Sequence, residues 1–183
     1  ASVAGWWSRV DPAGAVTAVV VDGAGAVVEV TGAGTPGVLA DDAAWVLFTS
    51  GTSGRPKGVI GSTAGLVNRL WWWWRTIPYQ PGDRAVVKTR PGFVDAIGEV
   101  LVPLLAGVPV VVADSADPAG LAELVAAERV THLLGVPSLL AVLYDTHGDV
   151  LARAPLRVIT SSGEPLTATL AATIRATNRD ATI

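Results

Sequence analysis

The chain opens with a weak pattern of short apolar runs. Residues 16–21 and 26–30 read as two strands around the turn Asp22-Gly23-Ala24-Gly25, and residues 31–37 as a Gly/Pro loop. The signal then strengthens. Residues 45–49 are a compact apolar run, expected to be a buried strand, followed by a polar, Gly-rich loop at 50–58. Residues 62–74 have helical spacing, with Leu66, Leu70 and Trp73 on one stripe. Strands are predicted at 84–88, 108–113, 132–136 and 156–161. Helices are predicted from about 96 to 105, then at 118–128, 138–144 and 166–177.

From Trp45 onward the order is strand, helix, strand, helix. That alternation predicts an α/β fold with a largely parallel sheet flanked by helices. In such sheets ligands bind outside the carboxyl ends of the strands. Three polar loops, at 50–58, 90–95 and 160–165, each follow a predicted strand and are expected to converge on one crevice. Residues 1–40 form an N-terminal strand and loop segment, and 41–183 carry no compositional break.

Composition narrows the chemistry. Half of the 183 residues are hydrophobic, which suits strands buried on both faces. No apolar run is long enough to cross a membrane, and the first seven residues lack the basic start of a signal peptide, so a cytoplasmic, non-membrane protein is expected. Cysteine is absent and there are two histidines, His132 and His147, which exclude thiolate chemistry and argue against a His-based metal site. The net charge of −3, with no basic stripe, argues against nucleic acid. Lys57 and Lys88 are the only lysines, in a chain that otherwise uses Arg.

Lys57 closes the most informative stretch. Thr49, Ser50, Gly51, Thr52, Ser53 and Gly54 lead through Arg55-Pro56 to Lys57-Gly58. Glycines let backbone N–H groups approach an anion, hydroxyls add donors, and the ammonium adds charge, which is what a polyphosphate needs. The alternative is a polar surface loop. It is not a Walker A loop, because the G-K-[ST] ending is missing.

The full string from Val46 to Val59 resembles the phosphate-loop signature of the AMP-binding, adenylate-forming superfamily, and the chain as a whole is most similar to a nonribosomal-peptide-type adenylation domain or a stand-alone amino-acid adenylation enzyme. The likeness continues downstream. Phe93-Val94-Asp95-Ala96-Ile97-Gly98-Glu99, followed by Pro103 to Gly107, is similar to the segment carrying the first substrate-pocket residues. Residues 131–138 resemble the next pocket strand. Ser161-Ser162-Gly163-Glu164-Pro165-Leu166 resembles a Gly-Gly-Glu-x-Leu turn, with Ser162 replacing the first glycine.

The resemblance implies ATP-dependent activation of a carboxylic acid to its acyl-adenylate, with Mg²⁺, and transfer to a carrier-protein thiol. An acyl-CoA ligase and a non-catalytic nucleotide-binding module are the alternatives. It implies that Thr49 to Gly54 and Lys57 hold the phosphates, and that Gly163, Glu164 and Pro165 lie beside the nucleotide. The pocket would comprise Phe93, Val94, Asp95, Gly98, Leu134, Thr160 and Ser162. The family's catalytic lysine, its adenine-contacting motif and its small C-terminal domain have no counterpart here, so the chain reads as a partial domain, expected to be inactive alone.

One departure bears on the substrate. Where α-amino-acid enzymes of this family carry an Asp that pairs with the substrate ammonium, this chain has Val94, and Asp95 falls one place later. That shift resembles enzymes for β-amino acids. The competing reading makes Asp95 the N-cap of the following helix. Gly98, at a place often filled by a large side chain, suggests added room. Lys88 and Arg90 either reach the crevice or are solvated, and the four tryptophans 71–74 are expected to pack in the core or at a domain interface.

Overall fold

The computed structural model describes residues 18–21, 27–31, 43–50, 56–113 and 116–183. The chain forms two compact units, residues 1–42 and 43–183. In the first, β1 (Ala18–Val21) and β2 (Val27–Thr31) pair antiparallel.

The second unit begins with a hairpin. β3 (Ala43–Thr49) pairs antiparallel with β4 (Lys57–Ser62), with Thr49 opposite Lys57 and Phe48 opposite Gly58. This corrects two expectations. The run at 45–49 is not buried: only Trp45 and Leu47 are half-covered, while Phe48 and Ile60 are each 68% exposed. The hairpin is a two-stranded sheet apart from the four-stranded one, and among the described residues no further strand pairs with it. And the polar loop leads first into a strand rather than directly into a helix. Val59 and Ile60 favour extended backbone and find a ladder partner in β3. A side chain at residue 61 would overlap the Trp45 indole, so only glycine lets the strands close there.

Helix α1 (Thr63–Thr76) starts where Ser62 Oγ accepts the Gly65 N–H at 3.2 Å. Leu70 and Trp73 face inward, Trp74 Nε1 donates to the Val102 carbonyl at 2.9 Å, and Trp71 and Trp72 are exposed.

The main sheet is four-stranded and parallel, ordered β6-β5-β7-β8: β5 is Ala85–Val87, β6 Val110–Val112, β7 His132–Gly135 and β8 Val158–Ser161. The connections are α2 (Val94–Leu105), α3 (Pro118–Ala127) and α4 (Pro137–Leu151). α5 (Ala168–Thr177) follows β8, and Thr167 caps it through the Leu170 N–H. The fold is α/β with a parallel sheet flanked by helices. α4 runs seven residues beyond its predicted end, bending at His147, where the backbone leaves helical values. The core lies where α3, α4 and α5 meet β7 and β8. Leu121, Val125, Leu133, Leu140, Leu143, Ile159 and Ile174 are each at most 1% exposed there. Tyr144 donates to Asn178 Oδ1 at 2.7 Å and Asn178 Nδ2 donates to the Leu151 carbonyl, so the polar groups buried between α4 and α5 are paired.

Candidate functional site

Because β5, β7 and β8 are adjacent and parallel, their carboxyl ends open on one side. α2 begins just after β5, at the same end. The segment 88–95 and the turn after β8 meet there: Ser162 Oγ donates to Asp95 Oδ2 at 2.6 Å. The other carboxylate oxygen, Oδ1, accepts from Arg69 Nη2 at 2.8 Å, across from α1. Asp95 is therefore not the cap of α2. Phe93 is the N-cap residue, with no side-chain cap bond, and Asp95 is the second helical residue, with its carboxylate turned to Ser162 and Arg69. Burial pushes the Asp95 carboxyl up, but the Ser162 and Arg69 hydrogen bonds, with the charges of Arg69 and Lys88, outweigh it and hold Asp95 below the ordinary value. Asp95 is thus a carboxylate at neutral pH.

One turn further along α2, Glu99 points back at the end of β5. Its Oε1 accepts from Lys88 Nζ at 2.8 Å, and its Oε2 accepts from the backbone N–H groups of Lys88 and Thr89 at 3.0 and 2.8 Å. Lys88 is 6% exposed, so it is a buried ion-pair partner, not a solvated surface charge. Sequence reasoning gave Glu99 no role. The signal was there as a carboxylate four residues after Asp95, on the same helix face.

The other candidate pocket residues distribute over three cavities. Phe93, Asp95 and Leu134 line one of about 410 Å³, with Lys88, Val136 and Leu139. Val94 and Gly98 line a second of about 230 Å³, with Trp45, Leu66, Arg69 and Leu70. Thr160, Leu134 and Gly98 line a small one of about 20 Å³ beside His132 and Tyr79. Val94 therefore faces an apolar wall, and Asp95 faces the crevice. Beside Gly98, where room was expected, stand Arg69 and Trp73, whose Nη2 and Cζ3 would lie 3.7 and 3.9 Å from a Cβ at that position, ordinary contact distances. Arg69 was not among the sequence candidates, because a lone Arg on an amphipathic helix carries no signal.

The Gly163-Glu164 turn is ordered by its own contacts. Gly163 has φ +81°, a left-handed conformation that favours glycine. The Glu164 carboxylate accepts from Ser138 N and Ser138 Oγ, each at 3.0 Å, at the start of α4, where the N-cap residue Val136 offers no side-chain acceptor. Pro165 follows on the exposed surface. Of the phosphate-loop candidates, Thr49 ends β3, Ser50 follows it and Lys57 opens β4, all exposed. Gly51, Thr52, Ser53 and Gly54 lie outside the described residues.

His132 sits deeper. Its Nδ1 lies 2.9 Å from Thr131 Oγ1, which also lies 3.1 Å from the Arg84 carbonyl, and its buried Nε2 has no hydrogen-bond partner among the described residues. Burial holds the His132 imidazole down to about 4, although Asp83 lies 3.8 Å away. Asp83 is engaged by Arg157 at 2.6 and 3.1 Å and by the Gln80 N–H at 2.7 Å. The His132 ring also packs on Tyr79, with ring centroids 4.4 Å apart. Among the described residues no group of three or more His, Cys, Asp or Glu could hold a metal ion, and no helix is long and apolar enough to cross a membrane.

The AMP-binding enzyme family model matches residues 9–183. The chain belongs to that family. It is 35% identical over 149 residues to tyrocidine synthase 3 of Brevibacillus parabrevis, covering 79% of this chain and 2% of that protein. It is 38% identical over 141 residues to the beta-alanyl-bioamine nonribosomal peptide synthetase ebony of Drosophila melanogaster, covering 72% of this chain and 16% of that protein. The structure is similar to that of the nonribosomal peptide synthetase FmoA3, with a TM-score of 0.71 at 32% identity, over 80% of this chain and 16% of that one. The chain thus spans a small fraction of the length of these relatives.

Proposed function

We propose that the intact protein uses ATP to convert the carboxyl group of a β-amino acid to its acyl-adenylate and then passes the acyl group to a carrier-protein thiol. A carboxylate oxygen attacks the α-phosphorus, the bond to the β-phosphate breaks, and pyrophosphate leaves. The thiol then attacks the acyl carbon and AMP leaves. Catalysis of this kind is mostly positioning and charge neutralisation. Thr49 to Gly54 and Lys57 would hold the phosphates, and the turn at Gly163, Glu164 and Pro165 would border the nucleotide. Mg²⁺ is expected to accompany ATP, but the described residues offer it no acidic cluster, and no step here is routed through it.

The observation that carries the substrate assignment is Asp95. Its ionised carboxylate stands at the strand ends in contact with Ser162, one position beyond the apolar Val94. Each carboxylate oxygen accepts two hydrogen bonds, so Ser162 and Arg69 leave acceptor positions for an ammonium. The likeness to a synthetase named for its beta-alanyl product supports the same reading, and the peptide synthetases among the relatives favour a carrier-protein acceptor over CoA.

The test is pyrophosphate–ATP exchange by the intact protein over matched α- and β-amino acids and amine-free acids. The expected result is exchange with β-amino acids, little with their α-isomers, and loss with Asp95→Asn at neutral pH. Equal exchange with α- and β-isomers defeats the assignment.

A further inference from the structure

The Arg69 guanidinium occupies an unusual position. Asp95 lines the cavity of about 410 Å³ at the strand ends, and Arg69 lines the neighbouring cavity of about 230 Å³. The two side chains meet at 2.8 Å, so the ion pair stands between the cavities. The guanidinium packs beside Gly98: a Cβ there would come to 3.7 Å from Nη2 and 3.9 Å from Nε, in ordinary van der Waals contact, and a side chain longer than alanine would compete for the guanidinium's place. The guanidinium carbon also lies 6.0 Å from the Trp73 ring centroid, within cation–π range. The space behind the pair is apolar, walled by Trp45, Leu66, Leu70, Val94 and Ile97. Among the described residues Arg69 is its only charged lining.

We propose that Arg69 is a specificity-determining residue: paired with Asp95, it is a partition that ends the acid pocket short of the apolar cavity and restricts it to β-amino acids without a bulky substituent. The inference rests on the reading of Asp95 given above. The partition acts in two ways. It occupies the space beside Gly98, which a substituent on the β-carbon would otherwise enter. It also fixes the Asp95 carboxylate by holding Oδ1 while Ser162 holds Oδ2. Removing the guanidinium joins the two cavities and exposes an apolar wall suited to an alkyl or aryl group. A pocket that gains one such group's worth of contact gains roughly 10- to 200-fold per methylene-sized difference in discrimination.

The test compares β-alanine, 3-aminobutanoate and 3-amino-3-phenylpropanoate in pyrophosphate exchange by the intact protein and its Arg69→Ala variant. The quantity read is the ratio of kcat/KM for the phenyl acid to that for β-alanine. It is expected to rise at least tenfold in Arg69→Ala. Should that variant not fold, Arg69→Met keeps the stem against Trp73 while deleting the guanidinium, and the same rise is expected. A purely structural arginine would lower all three substrates together and leave the ratio unchanged. Activation of β-alanine with an unchanged ratio overturns the partition and leaves the β-amino reading standing. No activation of any β-amino acid by the unmutated protein overturns the reading on which the partition rests.

Discussion

Glu99→Gln is the substitution from which the geometry predicts the largest loss. The Lys88 and Glu99 side chains are 3% and 2% exposed, so neither charge has water to fall back on. Glutamine keeps one carbonyl oxygen, enough for the two backbone N–H groups that Oε2 now serves. Its NH₂ then faces Lys88 Nζ, donor against donor. Breaking one side of a buried pair leaves the other charge uncompensated, which costs about 3–5 kcal/mol. For a chain of this size about 2–4 °C of melting temperature goes with each kcal/mol, so the midpoint should fall by roughly 6–20 °C. Lys88→Met should cost a similar amount, because it strands the Glu99 carboxylate. The double variant Lys88→Met/Glu99→Gln has no stranded charge and keeps the acceptor for both amides. It should lie within about 1–2 kcal/mol of the unmutated protein, well above either single variant. Calorimetry of the four proteins forms a complete cycle. Single variants that each lose under 1 kcal/mol, or a double variant no better than the worse single, would refute this account of the pair.

Three further outcomes follow from other contacts. His132, held down to about 4 against an ordinary 6.5, binds its proton more readily in the unfolded chain, so its contribution is complete above about pH 6.5 and is lost as pH falls towards 4. That amounts to about 3 kcal/mol at most, and His132→Phe should flatten this window in a pH series of melting temperatures; an unchanged slope would remove His132 as its source. Glu164→Ala should cost about 0.5–2 kcal/mol by uncapping α4 at Ser138, read by calorimetry, and a neutral result would show that the cap contributes nothing. Lys57→Ala should weaken ATP use more than acid use by up to a few kcal/mol of charge-assisted contact, and unchanged kinetics for ATP would take Lys57 out of the phosphate site.

Which parts of this molecule could be read from sequence follows from how local each determinant is. The parallel sheet was legible because its strands are continuous apolar runs separated by helical periods, and each of those signals sits within about ten residues. The hairpin of β3 and β4 was not. Its pairing depends on Val59 and Ile60 finding β3, and an apolar run looks the same whether one face or two are covered. At the site, Asp95 and Ser162 were candidates because both fall in recognisable strings, although 67 residues separate them. What sequence left open was the role of Asp95, since an Asp at a helix start is compatible with capping or with facing a pocket. The decision lies in contacts that no window contains: Ser162 on the turn after β8 and Arg69 on α1 draw the carboxylate away from the helix terminus. Arg69 itself was invisible for the same reason. Nothing in its neighbours marks it, and the residue it packs beside, Gly98, lies 29 positions later. At Gly98 the sequence suggested added room; the fold sets the Arg69 guanidinium and the Trp73 ring against it. A glycine leaves a volume, and only the fold says what stands beside it.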